Sequence, residues 1–224
     1  MTTITVRRIA HTIVNRLTMR RRPLSAPGVR DGAAYAPWRV FLSHTGDLRE
    51  QPAERSFAAA AEAAVIRAGH AVSDMAYFAA RDVDSAHVCA AMVAAADVYV
   101  GIVGRRYGAT VPSRPHQSFT ELEFATATDL GLPRLVFLIR DDAARQAPDG
   151  QSVEHRLRQA AFRDRLCRSA LTVCHISSPS DLELALLHTL VELRGESVAL
   201  AAFMAGAVSL PPWGTVGVGA PLVR

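Results

Sequence analysis

The sequence predicts an α/β domain of the flavodoxin-like kind, a five-stranded parallel sheet of order 2-1-3-4-5 between two layers of helices. Three observations carry this. Strand-like and helix-like segments alternate five times between residues 39 and 195, the rhythm of right-handed βαβ units. The stretch Asp97-Val98-Tyr99-Val100-Gly101-Ile102-Val103 is almost uninterruptedly apolar, as a strand covered on both faces must be. Helix stops fall between the segments, at Gly69, at Gly131-Leu132-Pro133 and at Gly195.

Taken in order, residues 39–43 (Arg-Val-Phe-Leu-Ser) form the first strand, ending in the polar loop His44-Thr45-Gly46-Asp47. Pro52 suits the first turn of a helix that alanines, Val65 and Ile66 carry to Gly69. A short strand follows over 70–75, then a helix over 86–96 capped by Asp84 or Ser85. The central strand runs into a long loop, 104–117, and a helix opens at Ser118. Residues 134–139 are the fourth strand. An arginine-rich helix over 153–167 turns Leu157, Ala160, Ala161 and Leu166 inward. Residues 171–176 are the fifth strand, and Ser178-Pro179-Ser180-Asp181 opens a last helix, 182–193, ended by Gly195.

Three units result: a basic leader over 1–38, the α/β domain over 39–195, and an apolar tail with glycine and proline over 196–224. The leader carries Arg7, Arg8, Arg16, Arg20, Arg21, Arg22 and Arg30 against Asp31. That is a balance of +6, so with +4 for the whole chain the remainder carries 4 − 6 = −2, which speaks against a nucleic-acid surface on the domain. No apolar core follows the arginines, so they are not a secretory signal, and the apolar run 198–208 is too short for a transmembrane segment. Cys89, Cys167 and Cys174 are an odd number without metal spacing and read as reduced thiols of a cytoplasmic protein.

In the predicted strand order, ligands gather where the first and third strands diverge. Two loops meet there, 43–47 and 104–117. Gly104 and Gly108 let backbone approach a ligand, and Arg105 and Arg106 suit phosphate. The spacing matches neither a Walker loop nor the dinucleotide fingerprint. Asp47 is placed for a ribose or amide, and His44 reads as a loop histidine rather than a base. On the helix after the third strand, Phe119, Leu122, Ala125, Thr126 and Leu130 share one face. Glu121 then points to water, and Glu123 falls on the flank of the apolar face, where burial raises its pKa and the helix start lowers it.

Four motifs in order resemble the TIR-like bacterial family catalogued as domain of unknown function 4062. They are Val40-Phe41-Leu42-Ser43-His44-Thr45 with Asp47-Leu48-Arg49-Glu50; Met75-Ala76-Tyr77-Phe78; residues 97–108 from Asp97 to Gly108; and Ser118-Phe119-Thr120-Glu121-Leu122-Glu123-Phe124 with Gly131-Leu132-Pro133. The resemblance implies a fold like that of TIR and nucleoside deoxyribosyltransferase domains. It implies a signalling or defence role through self-association or docking onto another signalling protein, with no cofactor required. The alternative it implies is an N-glycosidase acting on NAD or a related nucleotide. In enzymatic relatives a glutamate on the helix after the third strand assists that cleavage. Glu123 matches it by spacing, with Glu121 in reserve. Ser43, His44, Thr45, Asp47, Gly104, Arg105, Arg106, Tyr107, Gly108 and Ser118 are then the candidate ligand-binding set.

Overall fold

The computed structural model describes residues 36–74, 85–140, 150–169 and 171–204. The motif at 75–78, the leader up to 35 and the tail beyond 204 lie outside the described residues. The elements are β1 (Arg39–Ser43), α1 (Asp47–Glu50), α2 (Phe57–Arg67), β2 (Ala71–Asp74), α3 (Ser85–Ala94), β3 (Val98–Val103) and β4 (Thr110–Val111). They continue as β5 (Arg114–Ser118), α4 (Phe119–Asp129), β6 (Arg134–Ile139), α5 (Val153–Arg168), β7 (Val173–Ile176) and α6 (Pro179–Met204).

Five strands form one all-parallel sheet of order β2-β1-β3-β6-β7. Counting only its members, this is the 2-1-3-4-5 order. β3 and β6 are buried along their whole length, which is why both read as continuous apolar runs. Alternate side chains serve opposite layers. Val40, Leu42, Val98, Val100 and Ile102 face α2 and α6, against Ala61, Ala64, Leu182, Leu186 and Leu190. Phe41 and Tyr99 face α3 and α4, against Met92, Val93 and Ala127, while Val136 and Leu138 meet Phe162 and Leu166 of α5. Ser43 and Gly101 are register partners, and both fall on the side of the sheet that carries Phe41 and Tyr99.

Four expectations are corrected. Pro52 does not open a helix; a separate α1 precedes it, and α2 starts at Phe57 behind the Ser56 cap. The stretch 104–117 is not all loop: β4 and β5 pair in an antiparallel hairpin inside it. On α5 the buried residues are Gln159, Phe162 and Leu166, while Leu157, Ala160 and Ala161 face outward. The aromatic Phe162 sets the inward face, and the buried Gln159 follows because its amide donates to the Gly104 carbonyl at 2.7 Å. Finally, α6 passes through Gly195 and reaches Met204.

At the amino-terminal edge of the sheet, Trp38 stacks on His70 at 4.8 Å, and the Arg194 guanidinium of α6 lies over the indole ring, 4.8 Å from its centroid. Arg194 also donates to the Ala36 carbonyl at 3.1 Å.

Candidate functional site

The site lies at the carboxyl ends of β1 and β3. Ser43 is the last residue of β1 and is buried. Its hydroxyl donates to one oxygen of the Glu123 carboxylate, and the Cys89 thiol of α3 donates to the other at 3.3 Å. Glu123 is 5% exposed and belongs to the buried face of α4 with Thr120 and Ala127. The apolar pattern had set it at the flank; a carboxylate is tolerated at the centre of the face because two donors meet it there. Burial pushes its pKa up to about 7, against the opposing pull of Ser43, Cys89 and the His44 charge. The cluster extends to Tyr99, which is fully buried and interacts with Ser43. A side chain at Gly101 would press on the Tyr99 ring at 3.0 Å, so the bare backbone of Gly101 accommodates that ring. Cys89 was not singled out by sequence reasoning; no local pattern ties it to a carboxylate 34 residues on.

His44 turns the other way. Its Nδ1 meets the Thr45 carbonyl at 3.0 Å and its Nε2 meets Asp74 at 2.9 Å, at the end of β2. Both ring nitrogens thus face acceptors, the arrangement of an imidazolium. Burial opposes that charge, but the Asp74 hydrogen bond and charge outweigh it, and the pKa is raised. Arg49 shares Asp74 and also reaches Glu62 at 3.3 Å. Asp74 too was invisible in the sequence, because its role depends on β2 lying beside β1.

The two loops expected to meet do so. Gly108 has φ +78°, and a Cβ there would lie 2.8 Å from Thr45 Cγ2. On the first loop, Thr45 Oγ1 and Asp47 Oδ1 are buried without a hydrogen-bond partner. On the second, Arg105 and Arg106 are half-buried. The Gly104 carbonyl is occupied by Gln159 and by Arg163 at 3.1 Å, and Arg163 also caps the Val103 and Ile139 carbonyls. The carboxyl edge of β3 is therefore tied to α5 by side chains of the protein itself.

Glu121 does not point to water. Ser118 and Glu121 form a capping box at the start of α4, and the Glu121 carboxylate also accepts from the Tyr107 hydroxyl and from Arg165 at 2.6 Å. Tyr107 is 1% exposed; its backbone amide donates to Gln151 at 3.0 Å and its hydroxyl reaches the His116 carbonyl at 2.8 Å. Glu121, Tyr107 and Ser118 together pin the hairpin to α4 and α5.

Among the described residues no cluster of His, Cys, Asp or Glu is arranged to hold a metal ion, and no helix is long and apolar enough to cross a membrane. Neither a curated protein nor a solved structure matches the chain. A family model does match, over residues 39–191, which takes in every strand of the sheet and the Ser43–Glu123 contact. The chain belongs to the family described as domain of unknown function (DUF4062).

Proposed function

We propose that this chain is a TIR-like interaction module that works in signalling or defence by docking onto a protein surface. The observation that supports this reading is the outer stripe of α5. Val153 and Leu157 are 62% and 67% exposed there, beside the exposed Ala160 and Ala161, on a helix whose opposite face is fully packed. Large apolar side chains turned outward on a packed helix suit a surface that a partner protein would cover. The module requires no cofactor and no catalytic residue.

A second reading has its own observation. A carboxyl with a pKa of about 7 touches a serine hydroxyl where β1 and β3 diverge, and two unmatched oxygens, Thr45 Oγ1 and Asp47 Oδ1, lie on the adjoining loop. In an N-glycosidase acting on NAD or a related nucleotide, Glu123 would bind ribose hydroxyls and stabilise the oxocarbenium-like transition state. Ser43, Arg105 and Arg106 would hold ribose and phosphates. The test is to incubate the concentrated full chain with NAD, free and clustered as an oligomer fusion, and to follow nicotinamide. The module reading expects none. Release that Glu123→Gln abolishes would overturn it in favour of the glycosidase.

A further inference from the structure

We propose that the outer face of α5 docks an acidic segment of a partner protein, which lays an apolar side chain against Val153 and Leu157 and its carboxylates on the arginines around them. The proposal rests on the module reading and names the chemistry of its partner.

Positive charge is segregated on this helix. Residues 153–168 carry Arg156, Arg158, Arg163, Arg165 and Arg168 against Glu154 and Asp164, a balance of +3. With −2 for everything after Trp38, the rest of that stretch carries −2 − 3 = −5. An otherwise acidic body thus gathers arginines on the helix that also exposes Val153 and Leu157.

Residues of a helix advance about 100° each, so Val153, Leu157 and Arg168 fall within one outward sector. Arg165 and Arg158 follow on the side of the β4–β5 hairpin, and Arg156 lies on the other side. Arg158 donates to the Pro115 carbonyl at 2.9 Å, which sets the exposed Arg114 of the hairpin beside this face. Two apolar side chains are therefore flanked by cations, the arrangement that suits an apolar anchor with a charged rim.

The carboxylates close by do not exhaust these cations. Glu154 meets Arg158, Asp164 meets Arg168, and Glu121 meets Arg165. Arg156 and Arg114 bond neutral oxygens, the Gln151 carbonyl at 2.7 Å and the Gln117 amide at 3.5 Å. A guanidinium offers five N–H donors in a fixed fork, so Arg165 and Arg168, 61% and 77% exposed, can each take a further carboxylate. The two acids of the helix also decide the partner class. Glu154 and Asp164 remain exposed, and the evenly spaced phosphates of a nucleic acid or an anionic bilayer would press on both. A peptide sets its carboxylates one at a time, and its apolar side chain gains cover from Val153 and Leu157.

The test is binding of a fluorescein-labelled peptide of alternating glutamate and leucine pairs to the full chain, followed by fluorescence anisotropy. Saturable binding that weakens as salt rises is expected. Glutamine in place of every glutamate should abolish it. Arg168→Glu and Leu157→Asp should each weaken it roughly 10-fold or more. Arg67→Glu, at an exposed arginine of α2, should leave it unchanged. Arg114→Glu, on the hairpin, should also weaken binding, and it reads the same face should a helix variant fold poorly. The proposal is overturned by any of four results: no binding of the peptide, equal binding of its glutamine form, tighter binding of duplex DNA or of phosphatidylglycerol vesicles, or indifference to all three face variants. Each leaves the module reading standing, which falls to Glu123-dependent release of nicotinamide.

Discussion

At the scale of single residues, the site is defined by how few of its polar groups are shared with water. Glu123 has one donor on each oxygen, and His44 has one acceptor on each nitrogen. The His44 pair gives a direct test. Asp74→Asn removes the charge that holds the imidazolium, so the pKa of His44 should drop below its ordinary value of 6.5, as read from the ring resonances in an NMR titration. Gly108 gives another. Gly108→Ala puts a methyl against Thr45 Cγ2 in a backbone conformation that disfavours side chains. It should cost on the order of 2 kcal/mol in a urea unfolding series. Adding Thr45→Ser removes the clashing methyl and should recover about half of that loss, leaving the backbone component. The sequence marks Gly108 as a residue for close approach, but the atom it approaches belongs to another loop.

At the scale of elements, legibility followed the range of the forces involved. β6 was read to the residue, because a fully covered strand has no choice of face. α4 was placed correctly, but its faces were not. The spelling Ser118-Phe119-Thr120-Glu121 is a capping box, and reading it as one would have turned Glu121 back onto the chain rather than out to water. Ser118→Ala should therefore cost about 1 kcal/mol. It should also lower the melting temperature by about 2–4 °C, followed by circular dichroism. The α5 helix misled for a different reason. Its apolar residues lie all round the cylinder, so periodicity does not choose between the faces of Leu157 and Phe162. Phe162 makes the choice by packing against Val136 and Leu138, and the Gln159 amide and the Arg163 guanidinium then meet the Gly104 and Val103 carbonyls. The β4–β5 hairpin hid because only two residues of β4 pair, in a run broken by Pro112 and Pro115.

At the scale of the whole molecule, the strand order was legible because five alternating units of this size admit few right-handed arrangements. The acid on α4 was legible as a partly buried carboxylate; its full burial and its donors on β1 and α3 were not, and it shapes the response of the entire fold to pH. The Glu123 pKa is about 7 in the folded chain, above the ordinary 4.5 of an unfolded one. The folded state thus holds a proton that the unfolded state has lost between those values. Its contribution to stability is full below about pH 4.5, falls as pH rises, and is gone above about pH 7. Glu123→Gln removes this dependence and should stabilise the protein at pH 8 by on the order of 2–3 kcal/mol, measured as urea midpoints across that range. A midpoint series that stays parallel to the wild type would show that the carboxyl ionises as readily inside as outside.

The clasp of Trp38, His70 and Arg194 has a practical corollary. It anchors Ala36 and the late turns of α6 at the rim where the parallel strands begin. Glu123 occupies the rim where they finish. A strain applied at Ala36 or at Arg194 would therefore act at the opposite end of the strands from the serine–glutamate corner, which is sealed at 1% and 5% exposure.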